Sequence, residues 1–438
     1  MRLPPVASSV PAPPKGSKGD EATVAWIRER FRRYYRGAVP DLPPRFARRE
    51  FGFMFWEAGM MQRHQSFKSA EALRDFLAQR TPMHVYYSSA YYDKPGAPTM
   101  EEKGWLGADL VFDLDADHIP GSDKMSYEEM LEAVKRKIIQ LYDDFLAADL
   151  GFEEGSMKVV FSGGRGYHIH VNDERVWSLG SHERREIVDY ITGKEVDVHG
   201  FFKESAFDAR EFRGHTKVKK MLVSPETSDP GWAGKLARGI VTLAERLQTL
   251  PSKEVVDFLA GFEGVGGDNG ASDLYENLFK VRSRLPRPIR GVDRLREEGR
   301  LEVLTDKNRD RFLNVVLQLQ QVRMDMAGPL DLDGIRARGE TDEPVTSDIK
   351  RLIRMPHSLH GKTGLAVVPM RREDLESFLP LRDAVPRAWT DEPVRVRLGT
   401  GIKITMRDEN FNLKEGTNTV PEYLAILLSC RGVASIAG

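Results

Sequence analysis

Two aspartates, Asp113 and Asp115, are the first candidates for chemistry in this sequence. They end an apolar run that begins at Leu110 and contains a β-branched and an aromatic residue, which predicts a buried β-strand. Side chains on a strand alternate between its faces, so a spacing of two places both carboxylates on one face. Because like charges repel each other, this pair predicts a site for one or two divalent cations. The alternative is an acidic pair at a solvated strand end.

A glycine-bounded, cationic stretch over residues 162–168 is the second candidate. Its glycines permit close approach of the backbone to a ligand, and Ser162 with the loop amides offers hydrogen-bond donors. Arg165 and His168 add positive charge, so the stretch suits the triphosphate of a nucleotide. The alternative is a glycine-rich β-turn that leads into a strand with His168 and His170 on one face.

The region from Asp342 to His360 combines acidic and cationic groups again, with Arg354 between them. Metal-assisted nucleotidyl transfer needs carboxylates that hold cations at the α-phosphate, and basic groups that neutralise the leaving pyrophosphate. The three stretches together supply both kinds of group. Asp342, Glu343 and Asp348 are all candidates for a third carboxylate in this region.

The composition restricts the class of protein. The 438 residues are 40% hydrophobic and 30% charged, which predicts a globular chain of two or three structural units. Lys and Arg number 65 against 66 Asp and Glu, so any electropositive surface must be local. A single cysteine, Cys430, excludes an intramolecular disulfide and a Cys-rich zinc site. With no apolar run long enough to span a bilayer and no signal pattern, we expect a cytoplasmic protein.

Strands and helices must position these residues. Residues 1–20 are rich in proline and predict a disordered tail. Helical spacing begins at Glu21, and strand patterns occupy residues 50–55, 84–92 and 110–115.

The middle of the chain has a mainly helical pattern of apolar residues. Ser126 and Glu129 form a capping-box pattern at the start of an amphipathic helix. Residues 181–340 are mostly helical in pattern, and the glycines of residues 264–270 predict a plain connector. The densely basic stretch 282–300 is either a nucleic-acid surface or a solvated, ion-paired face.

At these positions the sequence resembles the catalytic small subunit of archaeal and eukaryotic DNA primases, most closely the archaeal branch. The resemblance runs from about residue 33 to the C-terminus. It is carried by Arg49-Glu50-Phe51, Arg63-His64-Gln65-Ser66-Phe67, residues 109–117 and 162–168, the Asp342 region, and residues 354–364 and 411–416.

The resemblance implies a role for each matching position. The metal-binding, catalytic positions are Asp113, Asp115 and Asp342. The positions that hold the triphosphate of the incoming nucleotide are Ser162, Arg165 and His168. The further positions at or near its phosphates are Arg354, His360 and Arg49.

The resemblance also implies an α/β fold of mixed α+β type, the archaeo-eukaryotic primase-type catalytic core. We expect this core over residues 21–190 and 340–438, with a mostly helical subdomain of residues 191–339 inserted between its halves. The expected activity is synthesis of short primers on single-stranded DNA by two-metal nucleotidyl transfer from nucleoside triphosphates. The cofactor would be Mg²⁺ or Mn²⁺, and the partner a large subunit that carries an iron–sulfur cluster.

Two features depart from parts of this family. Gly164 stands where eukaryotic members carry an arginine, and residues 118–127 contain no cysteine, although many members have a zinc knuckle there. We therefore expect no structural zinc. The alternative functions are a repair-type or plasmid-type primase-polymerase that fills gaps, and a nucleic-acid-binding subunit without catalysis.

Overall fold

The computed structural model describes residues 18–38, 41–56, 59–116, 125–194, 196–212, 215–281, 290–299, 301–321 and 339–437. The tail predicted for residues 1–20 lies outside these ranges up to residue 17. Residues 18–20 already belong to the first helix, so that helix begins three residues before the predicted start.

The chain divides into two compact units. The first contains residues 1–189 and 340–438, and the second contains residues 190–339. The helices, in chain order, are α1 Lys18–Gly37, α2 Ala70–Arg80, α3 Met100–Lys103, α4 Tyr127–Gln140, α5 Glu174–Trp177, α6 Ser181–Thr192, α7 Gly231–Leu247, α8 Ser252–Ala260, α9 Gly267–Phe279, α10 Gly291–Glu298, α11 Asp306–Gln321, α12 Glu343–Ser347, α13 Arg372–Leu375, α14 Pro380–Asp383 and α15 Glu422–Cys430.

Strands are interleaved with these helices, which confirms the predicted mixture of α and β structure. They are, in chain order, β1 Phe51–Met54, β2 Gln62–Gln65, β3 His84–Ser88, β4 Ala90–Tyr92, β5 Trp105–Ala108, β6 Leu110–Asp115, β7 Met157–Phe161, β8 Gly166–Val171, β9 Lys203–Phe212, β10 His215–Val223, β11 Leu352–Arg354, β12 Val368–Met370, β13 Pro393–Leu398, β14 Ile402–Met406, β15 Glu409–Leu413, β16 Gly416–Pro421 and β17 Ala434–Ile436.

A four-stranded antiparallel sheet lies at the centre of the first unit, in the order β12-β7-β8-β6. In β6, Leu110, Phe112 and Leu114 are fully buried. Because strand residues alternate between faces, this apolar burial turns the alternate residues, including Asp113 and Asp115, to the opposite face.

A second four-stranded sheet in the same unit has the order β11-β3-β1-β2. Aromatic residues give it a core: the ring of Phe53 lies 4.7 Å from that of Phe76 in α2, measured between centroids. The hydroxyl of Ser69 accepts a hydrogen bond from the amide of Ala72 and so caps α2. This sheet presents the C-terminal end of β11 and the start of β3 beside each other.

Helix α4 begins as the sequence predicts. The Ser126 hydroxyl accepts from the amide of Glu129, and the Glu129 carboxylate accepts from the amide of Ser126. This capping box satisfies two backbone donors that the helix cannot pair internally. It fixes the position of Tyr127, which contacts the candidate site described below.

The second unit contains a helical core and one β-hairpin, which the prediction of a mostly helical subdomain did not specify. Buried residues from α7, α8, α9 and α11 form the core, among them Leu243, Leu259 and Leu274. Strands β9 and β10 instead form a long antiparallel hairpin. The glutamates and alanines of β9 favour a helix locally, and cross-strand pairing overrides that preference.

The connector predicted at residues 264–270 is confirmed only in part. Gly264 and Gly266 have φ values of 79° and 93°, in the left-handed region that favours glycine, whereas α9 already begins at Gly267.

Of the basic stretch 282–300, residues 282–289 and 300 lie outside the described ranges. Within the described part, Arg290 pairs with Asp293 at 2.7 Å.

None of the helices in the described part of the chain has the length and apolar character needed to cross a membrane.

Replacement of a buried leucine at the start of β6 tests how much the burial of this strand contributes to the stability of the fold. We expect Leu110→Ala to lower the free energy of unfolding by about 2 to 5 kcal/mol, because it leaves a cavity in a fully buried position. Leu106→Ala is the matched control, since Leu106 is 53% exposed, and we expect a change below about 0.5 kcal/mol. Urea unfolding measures both, and equal losses in the two variants would contradict the assigned burial.

Candidate active site

The acidic strand β6 lies beside β8 in a defined register. Asp113 is opposite His168, and Asp115 is opposite Gly166. The two aspartate side chains lie on one face and retain 20% and 36% of their exposure. Two carboxylates therefore reach the edge of the central sheet while the strand that carries them is buried.

Side-chain nitrogens face both carboxylates. His168 Nε2 lies 3.2 Å from Asp113 Oδ1, and Arg165 Nη2 lies 3.3 Å from Asp115 Oδ1. His168 and Arg165 are themselves buried. Asp113 and Asp115 carry like charges and repel each other. The nitrogens of His168 and Arg165 beside them offset this repulsion.

The turn between β7 and β8 carries Ser162 and Arg165. The Ser162 amide donates to the Gly166 carbonyl at 3.0 Å, and the Ser162 hydroxyl accepts from the amides of Gly164 and Gly166 at 3.3 and 3.4 Å. Ser162 thus organises the turn through its own oxygen. A Cβ at position 166 would lie 2.4 Å from the carbonyl oxygen of Leu114, so only glycine permits this approach of β8 to β6.

Side chains from two distant segments hold the turn from outside. The Tyr127 hydroxyl donates to the Gly164 carbonyl. The Thr363 hydroxyl donates to the Gly163 carbonyl at 2.6 Å. Gly163 has a φ of 76°, and a Cβ at this position would lie 2.7 Å from the Cβ of His360. The glycines therefore allow His360 to pack directly on the turn.

His360 and Arg354 meet through a residue that the sequence analysis did not select, His84. Arg354 Nη1 lies 2.7 Å from His84 Nδ1, and the Gly361 amide donates to the same nitrogen at 3.3 Å. A guanidinium can only donate, so His84 Nδ1 accepts and its proton is on Nε2. The rings of His84 and His360 lie 5.0 Å apart, edge to face. The position of His84 at the start of a strand gave no local signal for this role.

Burial and neighbouring cations keep these histidines neutral. Burial lowers the pKa of His84 well below its ordinary value of 6.5, and the charges of Arg354 and Lys362 lower it further. Burial and then Arg354 lower the pKa of His360 in the same way. His170, whose Nδ1 lies 3.2 Å from the Tyr87 hydroxyl, also has its pKa lowered by burial. Neutral rings leave Arg354, Arg165 and Lys362 as positive charges of this region.

The segment that contains Asp342 lies next to Asp113 in the structure, although the two are distant in sequence. Thr341, which directly precedes Asp342, is 228 positions beyond Asp113. The Asp342 amide donates to the Asp113 carbonyl at 2.9 Å. Of the competing carboxylates, Glu343 pairs with Arg185 at 2.9 Å, and Asp348 accepts from the amide of Lys350. Asp342 is thus the candidate whose backbone is bonded to that of Asp113, and its role as the third acidic residue stays a prediction.

The donor set fits a hard divalent cation. Asp113 and Asp115 present carboxylate oxygens on one face, and Asp342 is adjacent through the backbone, which is the ligand chemistry that Mg²⁺ and Mn²⁺ prefer. Within the described residues, no three His, Cys, Asp or Glu side chains are already grouped closely enough to hold a metal ion. The prediction that the chain has no structural zinc stays a prediction, because residues 117–124 lie outside the described ranges.

Arg49 lies in the interior of the protein, so the structure gives no support to the expectation that it contacts the nucleotide phosphates. Its side chain is fully buried, and Nη2 lies 2.5 Å from Asp109 Oδ2. Its remaining hydrogen bonds go to the Tyr91 hydroxyl and to three backbone carbonyls. Since all five guanidinium donors have acceptors inside the protein, none is left for a phosphate.

The buried Arg49–Asp109 pair instead anchors the base of β6. Asp109 directly precedes this strand, and its carboxylate also accepts from Asn172 at 2.7 Å and from the Tyr91 hydroxyl. Arg184 donates to the Asp109 carbonyl at 2.8 Å. A long-range charge partner of this kind leaves no periodic signal in a sequence, so pattern analysis could not distinguish it from a phosphate ligand.

A mixed α and β core that presents paired carboxylates beside a buried cationic turn defines a nucleotidyltransferase class of site. Comparison with known proteins agrees with this class. The family described as DNA primase small subunit matches residues 112–372. The chain is 42% identical over 420 residues to the "DNA primase small subunit PriS" of Methanocella arvoryzae, covering 95% of this chain and 99% of the relative.

Two further relatives are similar over the same extent. The identity is 39% over 426 residues to the protein of the same name from Methanothrix thermoacetophila, covering 95% of this chain and 100% of the relative. It is 38% over 425 residues to the one from Halobacterium salinarum, covering 95% and 99%. The chain belongs to the DNA primase small subunit family.

Adjacent arginines separate the buried role of Arg49 from an exposed one. We expect Arg49→Ala to lower the free energy of unfolding by about 3 to 5 kcal/mol, because Asp109 is left charged and unpaired in the interior. Arg48→Ala is the control, since Arg48 and Asp93 are both about half exposed, and we expect a loss below about 1 kcal/mol. Wild-type stability in Arg49→Ala, together with a raised KM for nucleotide, would restore Arg49 to the binding site.

The buried neutral histidines predict an acid-sensitive fold. The folded-state pKa of His84 lies below 6.5, so the unfolded chain binds more protons than the folded one as the pH falls through 6.5. The stability that His84 contributes is therefore present above pH 6.5 and declines below it, by about 1.4 kcal/mol per pH unit.

We expect His84→Gln to make the free energy of unfolding fall less steeply with pH by about that amount. Denaturant titrations between about pH 5 and pH 7 measure the slope. His182→Gln is the control, since the His182 side chain is 78% exposed. A slope in His84→Gln identical to that of the wild type would show that His84 is not held neutral.

Proposed function

We propose that this chain is the catalytic subunit of a DNA primase that makes short primers on single-stranded DNA by condensing nucleoside triphosphates. One observation carries the proposal most directly: Asp113 and Asp115 lie on one strand face, with Asp342 hydrogen-bonded to the backbone of Asp113. The membership of the DNA primase small subunit family supports the same conclusion.

The three aspartates are the proposed metal ligands. Bound Mg²⁺ or Mn²⁺ would polarise the α-phosphate and stabilise the charge that develops in nucleotidyl transfer. The protein's own contribution is to orient the carboxylates. Burial of β6 and the anchor at Asp109 hold the strand, and the carboxylates remain partly exposed at its end.

The cationic turn and the Arg354 region are proposed to hold the triphosphate. Arg165 and Arg354 supply charge, and the turn amides and His168 supply donors near the acidic pair. His360 packs on the turn, and Ser162 maintains its shape. His84 orients Arg354 as a positioning residue, because its Nδ1 accepts from the guanidinium. Both four-stranded sheets of the first unit thus contribute residues to the proposed substrate site.

A small subunit implies a second chain. We propose that the partner is a large subunit with an iron–sulfur cluster, and that the single cysteine of this chain leaves the cluster to that partner. We also propose that the enzyme acts in the cytoplasm, because a chain with one cysteine suits a reducing compartment.

Nucleotide incorporation on unprimed single-stranded DNA tests the proposed function. We expect product from the wild-type chain with Mg²⁺ or Mn²⁺, and a loss of about a thousandfold or more in Asp113→Ala and Asp115→Ala, because metal-assisted charge stabilisation is worth several kcal/mol. The control is Asp93→Ala, which removes a carboxylate that is 57% exposed and paired with Arg48. Gel analysis of labelled products gives the rates.

Comparison of primed with unprimed template distinguishes a primase from an extending polymerase and from a binding subunit. If the wild type extends a primer but starts none, even with the large subunit present, the chain is an extending polymerase and not a primase. If Asp113→Ala is as active as the wild type, the assigned site is wrong. Nucleotide binding without any incorporation, on either template, would point to a binding subunit.

A further inference from the structure

A long polar face lies on the C-terminal strands, in a part of the first unit that the nucleotide site does not use. Strands β13 and β16 pair from Pro393↔Pro421 to Leu398↔Gly416, and β14 and β15 pair from Ile402↔Leu413 onward. Residues 399–401 and 414–415 join the two strand pairs. We name these two strand pairs and the residues that join them, residues 393–406 and 409–421, the C-terminal ribbon.

The two faces of the ribbon differ in chemistry. One face is apolar: Val396, Leu398, Ile402, Ile404 and Met406 are buried. The alternating residues of the same strands are exposed, and they are Arg395, Arg397, Lys403 and Thr405. The ribbon is therefore anchored on one side and open to solvent along the other.

The residues across the ladder extend the open face with hydrogen-bonding groups. Residues directly opposite each other in an antiparallel pair share a face. The exposed pairs are Arg395↔Thr419, Arg397↔Thr417, Lys403↔Asn412 and Thr405↔Asn410. These pairs combine three cations with hydroxyl and amide groups, and they contain no carboxylate.

The three cations differ from the paired arginines elsewhere in the same unit. Among the described residues, the side chains of Arg395, Arg397 and Lys403 make no ion pair and no hydrogen bond. By contrast, Arg407, at the far end of β14, pairs with Asp391. Exposed cations without carboxylate partners on two successive strands create a local positive potential on a chain whose formal net charge is −1.

We propose that the C-terminal ribbon binds the phosphate backbone of the nucleic acid on which the enzyme acts. Cations, hydroxyls and amides are the groups that contact phosphate oxygens, and they do so without reading sequence. A protein partner is disfavoured, because docked protein surfaces have aromatic or apolar anchors at their centre and this face has none. The proposal rests on the proposed function only in taking single-stranded DNA as the substrate.

The ribbon contains a motif that is not part of the proposed nucleotide site. Residues 411–416, one of the stretches that carried the family resemblance, lie at the junction of the two strand pairs. Phe411 packs edge to face against Tyr423 of α15, with 6.3 Å between ring centroids, while Asn412 is exposed. The motif thus anchors the ribbon on one side and contributes to the polar face on the other.

Salt-dependent DNA binding tests this proposal. In the full-length chain, the triple variant Arg395→Ala/Arg397→Ala/Lys403→Ala is compared with wild type by fluorescence anisotropy of a labelled oligodeoxythymidylate. Each lost contact to single-stranded DNA reduces the slope of log K against log salt by about 0.7, so we expect the slope to be shallower by about 2. We also expect affinity at low salt to fall at least tenfold.

The matched control removes the same charge from exposed arginines that have carboxylate partners, in Arg48→Ala/Arg175→Ala/Arg371→Ala. We expect the control to keep the wild-type slope. A charge-preserving variant, Arg395→Lys/Arg397→Lys, should keep it as well, which separates loss of charge from loss of fold. Equal thermal unfolding midpoints in all variants complete the folding control.

Two results would overturn the proposal. One is an unchanged salt slope in the ribbon variant, or an equal change in the control. The other is intact DNA binding with lost binding of the purified large subunit, which would make the ribbon a protein-docking face. Asp113→Ala should retain the wild-type slope, so failure of the ribbon and failure of the catalytic site give different results.

Discussion

Two carboxylates on one face of a buried strand repel each other, and the first unit is arranged around that constraint. The apolar side of β6 is buried in the central sheet, which fixes the direction in which Asp113 and Asp115 point. His168 and Arg165 then face the two carboxylates from β8 and from the turn before it. The turn proposed to bind the nucleotide and the acidic strand end are therefore parts of one electrostatic arrangement, not two separate motifs.

Buried charges keep this arrangement in position. Arg49 and Glu50 are neighbours on the chain but point in opposite directions: Arg49 pairs with Asp109 below β6, and Glu50 pairs with Arg63 at 3.0 Å and lies 3.5 Å from Lys103 Nζ. Each pair joins segments that are distant in sequence. A buried pair of this kind adds little net stability, but removal of one partner is costly, so it specifies which segments lie together.

The site is assembled from elements that only the fold brings together. One sheet supplies the acidic strand and the cationic turn, and the other supplies Arg354 with its acceptor His84. His360 packs between the turn and His84, and neutral imidazoles there leave the arginine charges available to an anionic substrate. The C-terminal ribbon is proposed to offer its charges to the DNA strand in the same way. Its cations are exposed and have no carboxylate partners among the described residues.

The sequence by itself determined the features that depend on neighbours along the chain. The placement of Asp113 and Asp115 on one face follows from the strand period of two, and the capping box of Ser126 and Glu129 follows from a spacing of three. Only the tertiary structure decided which distant groups meet. It buried Arg49 against Asp109, selected His84 as the partner of Arg354, brought Asp342 to Asp113 and paired β9 with β10 in a predicted helical region. The reason is physical: periodicity and capping are local, whereas charge pairing and cross-strand hydrogen bonds depend on partners whose distance along the chain carries no pattern.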